Sequence, residues 1–284
     1  MTPPAVTQYR VTKHYVGTSR GELHVRRCGE SGRILVMLQI LPFSTSMFEP
    51  LMPLLADSGL ACVAIDLMGY GRSDKRRETW LVEDYADNIN EAIDRLGLQP
   101  DFMLGGHFAG MVTANAATRR AVPPRKLVLD GTPVWPAAYR ANIAAEMGVK
   151  PFTVDASGQF MTDCWAQVMA MMQLLNPGFA PSDATATALR TFAVQLLETT
   201  YGPSVVPAMA AFDMGLLLPE IRIPTLILTS EGDSQVKFFR TLVDGIAGAR
   251  GHLFPGTHPM HDLDHPERVR DYADTLTGFL LSEA

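Results

Sequence analysis

The side chains in this 284-residue chain best suited to move a proton near neutral pH are its seven histidines, and His258, His261 and His265 share one short stretch. An imidazole titrates in the physiological range and serves as a general base when a carboxylate orients it. No Asp or Cys constellation with ligand spacing accompanies the three, so His261 and His265 read as surface or capping residues and no metal is expected. Cys28, Cys62 and Cys164 are odd in number and far apart in sequence. Without zinc or disulfide spacing they read as structural, reduced thiols.

Holding such residues in place takes a core. At 47% hydrophobic and 19% charged residues the chain reads as one globular unit with room for an inserted lid. A net charge of −6 with scattered Lys and Arg leaves no footprint for nucleic acid or an anionic membrane. No uncharged apolar run reaches membrane-spanning length, and residues 1–10 carry two prolines and no signal-peptide core. The expectation is a cytoplasmic protein that binds a small molecule or peptide and needs no cofactor.

From residue 23 to about 130, short aliphatic runs alternate with longer amphipathic segments, the pattern of parallel strands linked by helices. Strands are expected at 34–38, 62–66, 102–104 and 126–130, and helices at 47–57, 81–96 and 108–121. The second helix places Tyr85, Ile89, Ile93 and Leu96 on one side. Strand patterning returns at 225–229 and 252–254, and 266–281 closes the chain as an amphipathic helix. The segment 133–218 breaks the rhythm with Pro151, Pro177, Pro181, Pro203 and Pro207 and is helical in tendency. This divides the chain into an α/β core at 1–132 and 219–284 and a helical cap at 133–218.

Four landmarks in order resemble the α/β-hydrolase family from residue 23 to 281. Asp66-Leu-Met-Gly-Tyr-Gly-Arg-Ser73 is similar to its glycine loop after the fourth strand. Thr229-Ser-Glu-Gly-Asp233 stands where its late acid follows a strand, and Pro255-Gly-Thr-His258 with His265-Pro-Glu267 resembles the catalytic-histidine loop. The fourth is the nucleophile elbow G-x-S-x-G, which aligns with Gly106-His107-Phe108-Ala109-Gly110. That alignment sets Phe108 where the attacking hydroxyl should be. A phenyl ring has no lone pair for a carbonyl and no proton for a base, so acyl-enzyme chemistry is not expected there. The family's oxyanion His-Gly pair reads Gln39-Ile40, in which Gln39 could supply an amide donor. The resemblance implies that Asp233 and His258 form either a working acid–base dyad or a structural hydrogen bond.

Seven of the fifteen methionines lie in the cap: Met147, Met161, Met169, Met171, Met172, Met209 and Met214. They could line a roomy apolar pocket or simply pack as helix core. On the pocket reading, Gln39, Ile40, Phe108, Ala109, Trp165, Met169, Met172 and His258 would contact a bulky apolar ligand or a small modified peptide. Together with Phe108 this resembles the bottromycin-type peptide epimerases of ribosomal-peptide pathways, which implies an isomerase inverting an aspartate α-carbon with help from the substrate's own carboxylate. The alternatives are a cofactor-independent lyase or dioxygenase using His258 and Asp233, a non-catalytic receptor, and an esterase with a displaced nucleophile at Ser73, Ser44 or Thr132.

Overall fold

Strands buried on both faces need helices on both sides, and the aliphatic runs of this sequence are packed in that way. The computed structural model describes residues 9–41, 43–76, 78–146, 154–175, 179–183, 185–199, 205–262 and 265–283. Its strands are β1 (Thr12–Thr18), β2 (Gly21–Cys28), β3 (Arg33–Leu38), β4 (Leu60–Ile65), β5 (Phe102–Gly106), β6 (Lys126–Asp130), β7 (Thr225–Ser230) and β8 (Arg250–Phe254). They form one 8-stranded sheet in the order β1-β2-β4-β3-β5-β6-β7-β8. From β4 to β8 neighbours pair in parallel, and β1 and β2 are antiparallel additions at one edge. The expected α/β architecture is present. Neither β1 nor β2 was anticipated: β1 lies at an edge with mostly exposed side chains, and β2 mixes charged and apolar residues, so neither carries an aliphatic run.

Helices α1 (Met52–Asp57), α2 (Val82–Arg95) and α3 (Phe108–Arg119) follow β3, β4 and β5. Tyr85, Ile89 and Ile93 face the core from α2, as their spacing predicts. Between β6 and β7 come α4 (Ala137–Glu146), α5 (Gln159–Leu175), α6 (Ala186–Thr199), α7 (Val206–Ala211) and α8 (Met214–Leu217). The chain ends with α9 (Phe239–Gly245) before β8 and α10 (Val269–Leu280) after it. Helices α2, α3 and α9 share one apolar cluster with the sheet, and α1 and α10 share another. Among the described residues no helix is long and apolar enough to cross a membrane.

Helices α5 and α6 carry a separate small core of Cys164, Val168, Met172, Phe179, Leu189 and Leu196, against which Met169 packs. Where this core meets Phe43, the cavity between Val168, Met171, Met172, Phe192 and Leu196 measures about 10 Å³. That is about the space of one water. Met169 and Met172 therefore act as packing residues here, because flexible thioethers fill gaps between helices. Trp165 is 42% exposed on α5 and lines a surface groove with Pro181 and Ser182. Met147, Pro151, Pro177 and Pro203 fall outside the described residues.

Two of the cysteines that are distant in sequence meet in space. Cys28 and Cys62 are directly opposite in the β2–β4 register, and both are buried, as is Cys164. Burial pushes all three thiols up, which suppresses the reactive thiolate. Native protein treated with Ellman's reagent at pH 8 is expected to release almost no thionitrobenzoate until denaturant is added, whereas rapid native labelling would contradict this packing.

Candidate active site

The turn from β5 into α3 is held in a constrained backbone conformation. His107 has φ 50 and ψ −122 and is the one non-glycine among the described residues with positive φ. A Cβ on Gly105 would strike Thr113 Oγ1 and the Ala109 carbonyl, so glycine there lets α3 fold back over its strand. His107 N–H donates to the Asp130 carbonyl at 2.8 Å, and Gly110 N–H to the His107 carbonyl at 3.0 Å.

The apex of the turn is thus His107, which corrects the expectation for Phe108. Phe108 begins α3, is 2% exposed, and stands edge-on to Tyr85 with centroids 5.2 Å apart. The alignment slipped by one because the sequence offers two glycines before His107. Steric need selects Gly105 as the outer one, and buried Ala109 stands in the small-residue position after the apex.

From that apex His107 Nε2 reaches Asp233 Oδ2 at 2.9 Å. Asp233 Oδ1 accepts the Gln235 N–H at 2.7 Å. Gly131, at φ +53, lies beneath the pair, and a Cβ there would come within 2.7 Å of His107 Nε2 and 3.0 Å of Asp233 Oδ2.

Asp233 therefore serves His107, not His258 as expected. His258 Nε2 lies 3.0 Å from Asp130 Oδ2, an ion-pair separation not aligned as a hydrogen bond. Its Nδ1 accepts the Met260 N–H at 3.2 Å, so in the neutral ring Nε2 bears the proton. The Tyr272 hydroxyl donates to Asp130 Oδ2 at 2.6 Å. Asp130 and Tyr272 were missed in the sequence; the available signal was an aspartate closing an otherwise aliphatic strand, at the edge where the site's loops gather.

Each charge has a physical cause. Burial alone would raise the Asp233 carboxyl, but the charge and hydrogen bond of His107, helped by the Gln235 N–H, hold it down at about 2. Burial likewise opposes ionisation of Asp130, yet His258 and the Tyr272 hydroxyl leave it lowered. Desolvation works against His107, and Asp233 outweighs it, so that imidazole is raised. The Asp233 contribution to stability is present above the ordinary carboxylate value of about 3.9 and is lost as pH falls through its lowered value. The His107 contribution is full below about 6.5 and is lost as pH rises through its raised value.

The remaining candidates scatter. Gln39 donates its amide N–H to the Ile65 carbonyl at 3.1 Å and accepts the Leu67 N–H at 3.2 Å, so it closes strand ends and is no donor to the site. Ile40 is buried against Gly106. Ser73 donates to the Asp66 carbonyl at 2.7 Å and accepts the His24 N–H at 2.9 Å, while Ser44 caps a 3-10 turn. Thr132 is buried beside Gly110. His265 is exposed, but His261 is 2% exposed, which corrects its surface assignment: its ring sits 5.1 Å from His258 and 5.7 Å from Phe43.

Gly131→Ala is expected to part His107 from Asp233 and to cost roughly 1–3 kcal/mol, since a side chain at positive φ adds strain. In an NMR titration the His107 ring should then titrate lower than in the wild type, and an unchanged titration would show that the pair does not depend on this glycine.

Residues 41–272 match the model of the Alpha/beta hydrolase family. Haloalkane dehalogenase 2 of Mycobacterium tuberculosis is 28% identical over 130 residues, a match that spans 45% of this chain and only 45% of that protein. The AB hydrolase superfamily protein YisY of Bacillus subtilis is 24% identical over 263 residues, 90% of this chain and 95% of its own. The esterase from Exiguobacterium antarcticum shares the fold with a TM-score of 0.74 at 20% identity, over 95% of this chain and 100% of its own. These are hydrolases by name, and they overturn the isomerase expectation: the kinship is with hydrolases, and none of it points to peptide epimerases. By the match over most of its length, the chain belongs to the Alpha/beta hydrolase family.

Proposed function

We propose that this chain is a hydrolase in which His107 takes the place of the family's nucleophile and activates water against the carbonyl carbon of a small ester or lactone. The observation that carries the reading is the 2.9 Å contact of His107 Nε2 with Asp233 at the apex of the strained turn. With Nε2–H given to Asp233, the lone pair of Nδ1 is left to work, and no hydrogen bond among the described residues engages it. The side chain is 18% exposed, so water can reach it.

In this scheme a water proton passes to His107 Nδ1 as its oxygen bonds to the carbonyl carbon. The carbon–oxygen bond to the leaving group then breaks, and the proton on Nδ1 passes to the departing oxygen, giving an acid and an alcohol. The charge on the carbonyl oxygen falls near the start of α3. No side chain caps that helix, and although Gly110 N–H is taken by the His107 carbonyl, the Phe108 and Ala109 N–H groups have no acceptor among the described residues and favour an anion. The relatives named as esterase and dehalogenase support hydrolysis as the reaction class.

The test is hydrolysis of p-nitrophenyl acetate and short lactones. His107→Ala is expected to lower kcat/KM by about 10²–10⁴, the usual worth of a positioned base. Because the base must be neutral to act, the rate should rise with pH through an apparent pKa above the ordinary 6.5 or so of imidazole. Asp233→Asn should move that limb to lower pH while reducing the plateau. Full activity in His107→Ala would refute the assignment.

His107→Ser is expected to remain unlabelled by a fluorophosphonate. The new hydroxyl would have no base, since His258 Nδ1 is taken by the Met260 N–H and Nε2, on the proton-bearing side, points toward Asp130. Stoichiometric labelling at residue 107 would show that His258 can turn to meet it.

A further inference from the structure

His261 has no task in that scheme, and no hydrogen bond among the described residues gives its ring one. It sits one turn beyond His258, to whose carbonyl its N–H donates at 2.9 Å. Both of its ring nitrogens are buried, and neither finds a hydrogen bond among the described residues. A neutral imidazole carries one N–H and one lone pair, and leaving both dry costs stability that a leucine or phenylalanine would not. Such a ring offers a donor and an acceptor that no described residue takes up.

Its surroundings indicate which partner. On one side is the His258 ring, and on the other is Phe43, from the loop after β3 that flanks the strained turn. Phe43 is itself tilted against Phe192 of α6 at 4.4 Å, so one aromatic ring separates His261 from the cap. Burial, reinforced by the positive charges of His258 and His107 and only partly opposed by Asp233 and Asp130, pushes His261 down to about 3. The ring is thus neutral throughout the working range, able to donate its proton in a hydrogen bond without surrendering it.

We propose that His261 is a substrate-binding residue whose ring N–H, covered by Phe43 until a ligand displaces that ring, receives the negatively charged oxygen of an acyl carboxylate or tetrahedral intermediate. It rests on the hydrolytic reading for the identity of the reaction, but not for the binding of the anion.

The probe is phenylphosphonate, a stable tetrahedral anion, titrated calorimetrically into wild type, His261→Phe and His261→Gln at pH 7, alongside ester hydrolysis by the same proteins. Wild type should bind it. His261→Phe should weaken binding about 10- to 100-fold, the worth of a hydrogen bond to a charged group. His261→Gln keeps an N–H donor and should recover part of the affinity.

Acid unfolding supplies a second readout. A histidine held neutral in the fold loses stability as pH drops below about 6.5, because the unfolded chain takes up the proton first. His261→Phe should therefore shift the acid-unfolding midpoint to lower pH, where a structural role for the ring would shift it upward. Unaltered phosphonate affinity in His261→Phe, or no binding to wild type, overturns the proposal and leaves the hydrolytic reading standing. Loss of affinity in His261→Phe beside a wild type that hydrolyses nothing sinks the hydrolytic reading and leaves the anion site.

Discussion

Two carboxylates buried in one site cannot both stay ionised unless each has its own compensation, and this constraint organises the molecule. Asp130 closes β6, Asp233 follows β7, and the charge of Asp233 works against ionisation of Asp130. The chain answers with separate partners brought from distant segments. The loop after β8 delivers His258 and α10 delivers Tyr272, both to Asp130. The turn after β5 delivers His107 to Asp233. Gly131 stands between the two acids and leaves room for the crossing. Removing His107 would leave Asp233 only the Gln235 N–H, and removing His258 would leave Asp130 only the Tyr272 hydroxyl, which explains why elements so far apart in sequence converge at the carboxyl ends of the strands.

A third buried carboxylate steadies the ground on which the site stands. Asp66 accepts the Thr45 N–H at 2.6 Å and the Arg72 N–H at 3.2 Å, and meets His24 Nδ1 at 2.9 Å. It thereby joins β2, the loop after β3 and the glycine loop after β4. Arg26 extends the network, donating to Thr45 Oγ1 at 2.6 Å and to Glu49 at 2.8 Å. Phe43, two residues before Thr45, is held over His261 by a loop whose position these charges set. Electrostatics below the sheet edge and aromatic packing above it are two ends of one chain of contacts.

Legibility followed the physics of each element. Central strands were readable because burial on both faces demands unbroken aliphatic runs, and the glycine loop because Gly69 and Gly71 need φ of 88 and 54 that other residues resist. The elbow was readable as a turn but not to the residue, since Gly105 and Gly106 are equivalent on paper and only the approach of α3 distinguishes them. Which acid faces which histidine was not legible at all. Sequence order says that Asp130, Asp233 and His258 reach one edge of the sheet, but pairing depends on side-chain directions set by Gly131, Met260 and Tyr272. The burial of His261 was hidden for a similar reason, because a histidine in a polar loop gives no sign that Phe43 will cover it. In the cap, apolar residues at helical spacing fit packing and pocket equally well, and the close approach of α5 and α6 decided for packing.

The strained turn carries a consequence for how such a site can change. Its conformation is imposed by neighbours: Gly105 under α3, the Asp130 carbonyl on the His107 N–H, and the Gly110 N–H on the His107 carbonyl. None of these contacts involves the side chain at position 107. The backbone is a socket whose occupant is exchangeable, so one substitution there can alter the reagent presented to a substrate while strand, helix and backbone hydrogen bonds stay in place. Diversification of chemistry on this scaffold is then limited by the residues facing the socket, which must change in concert, and hardly by the folding of the scaffold itself.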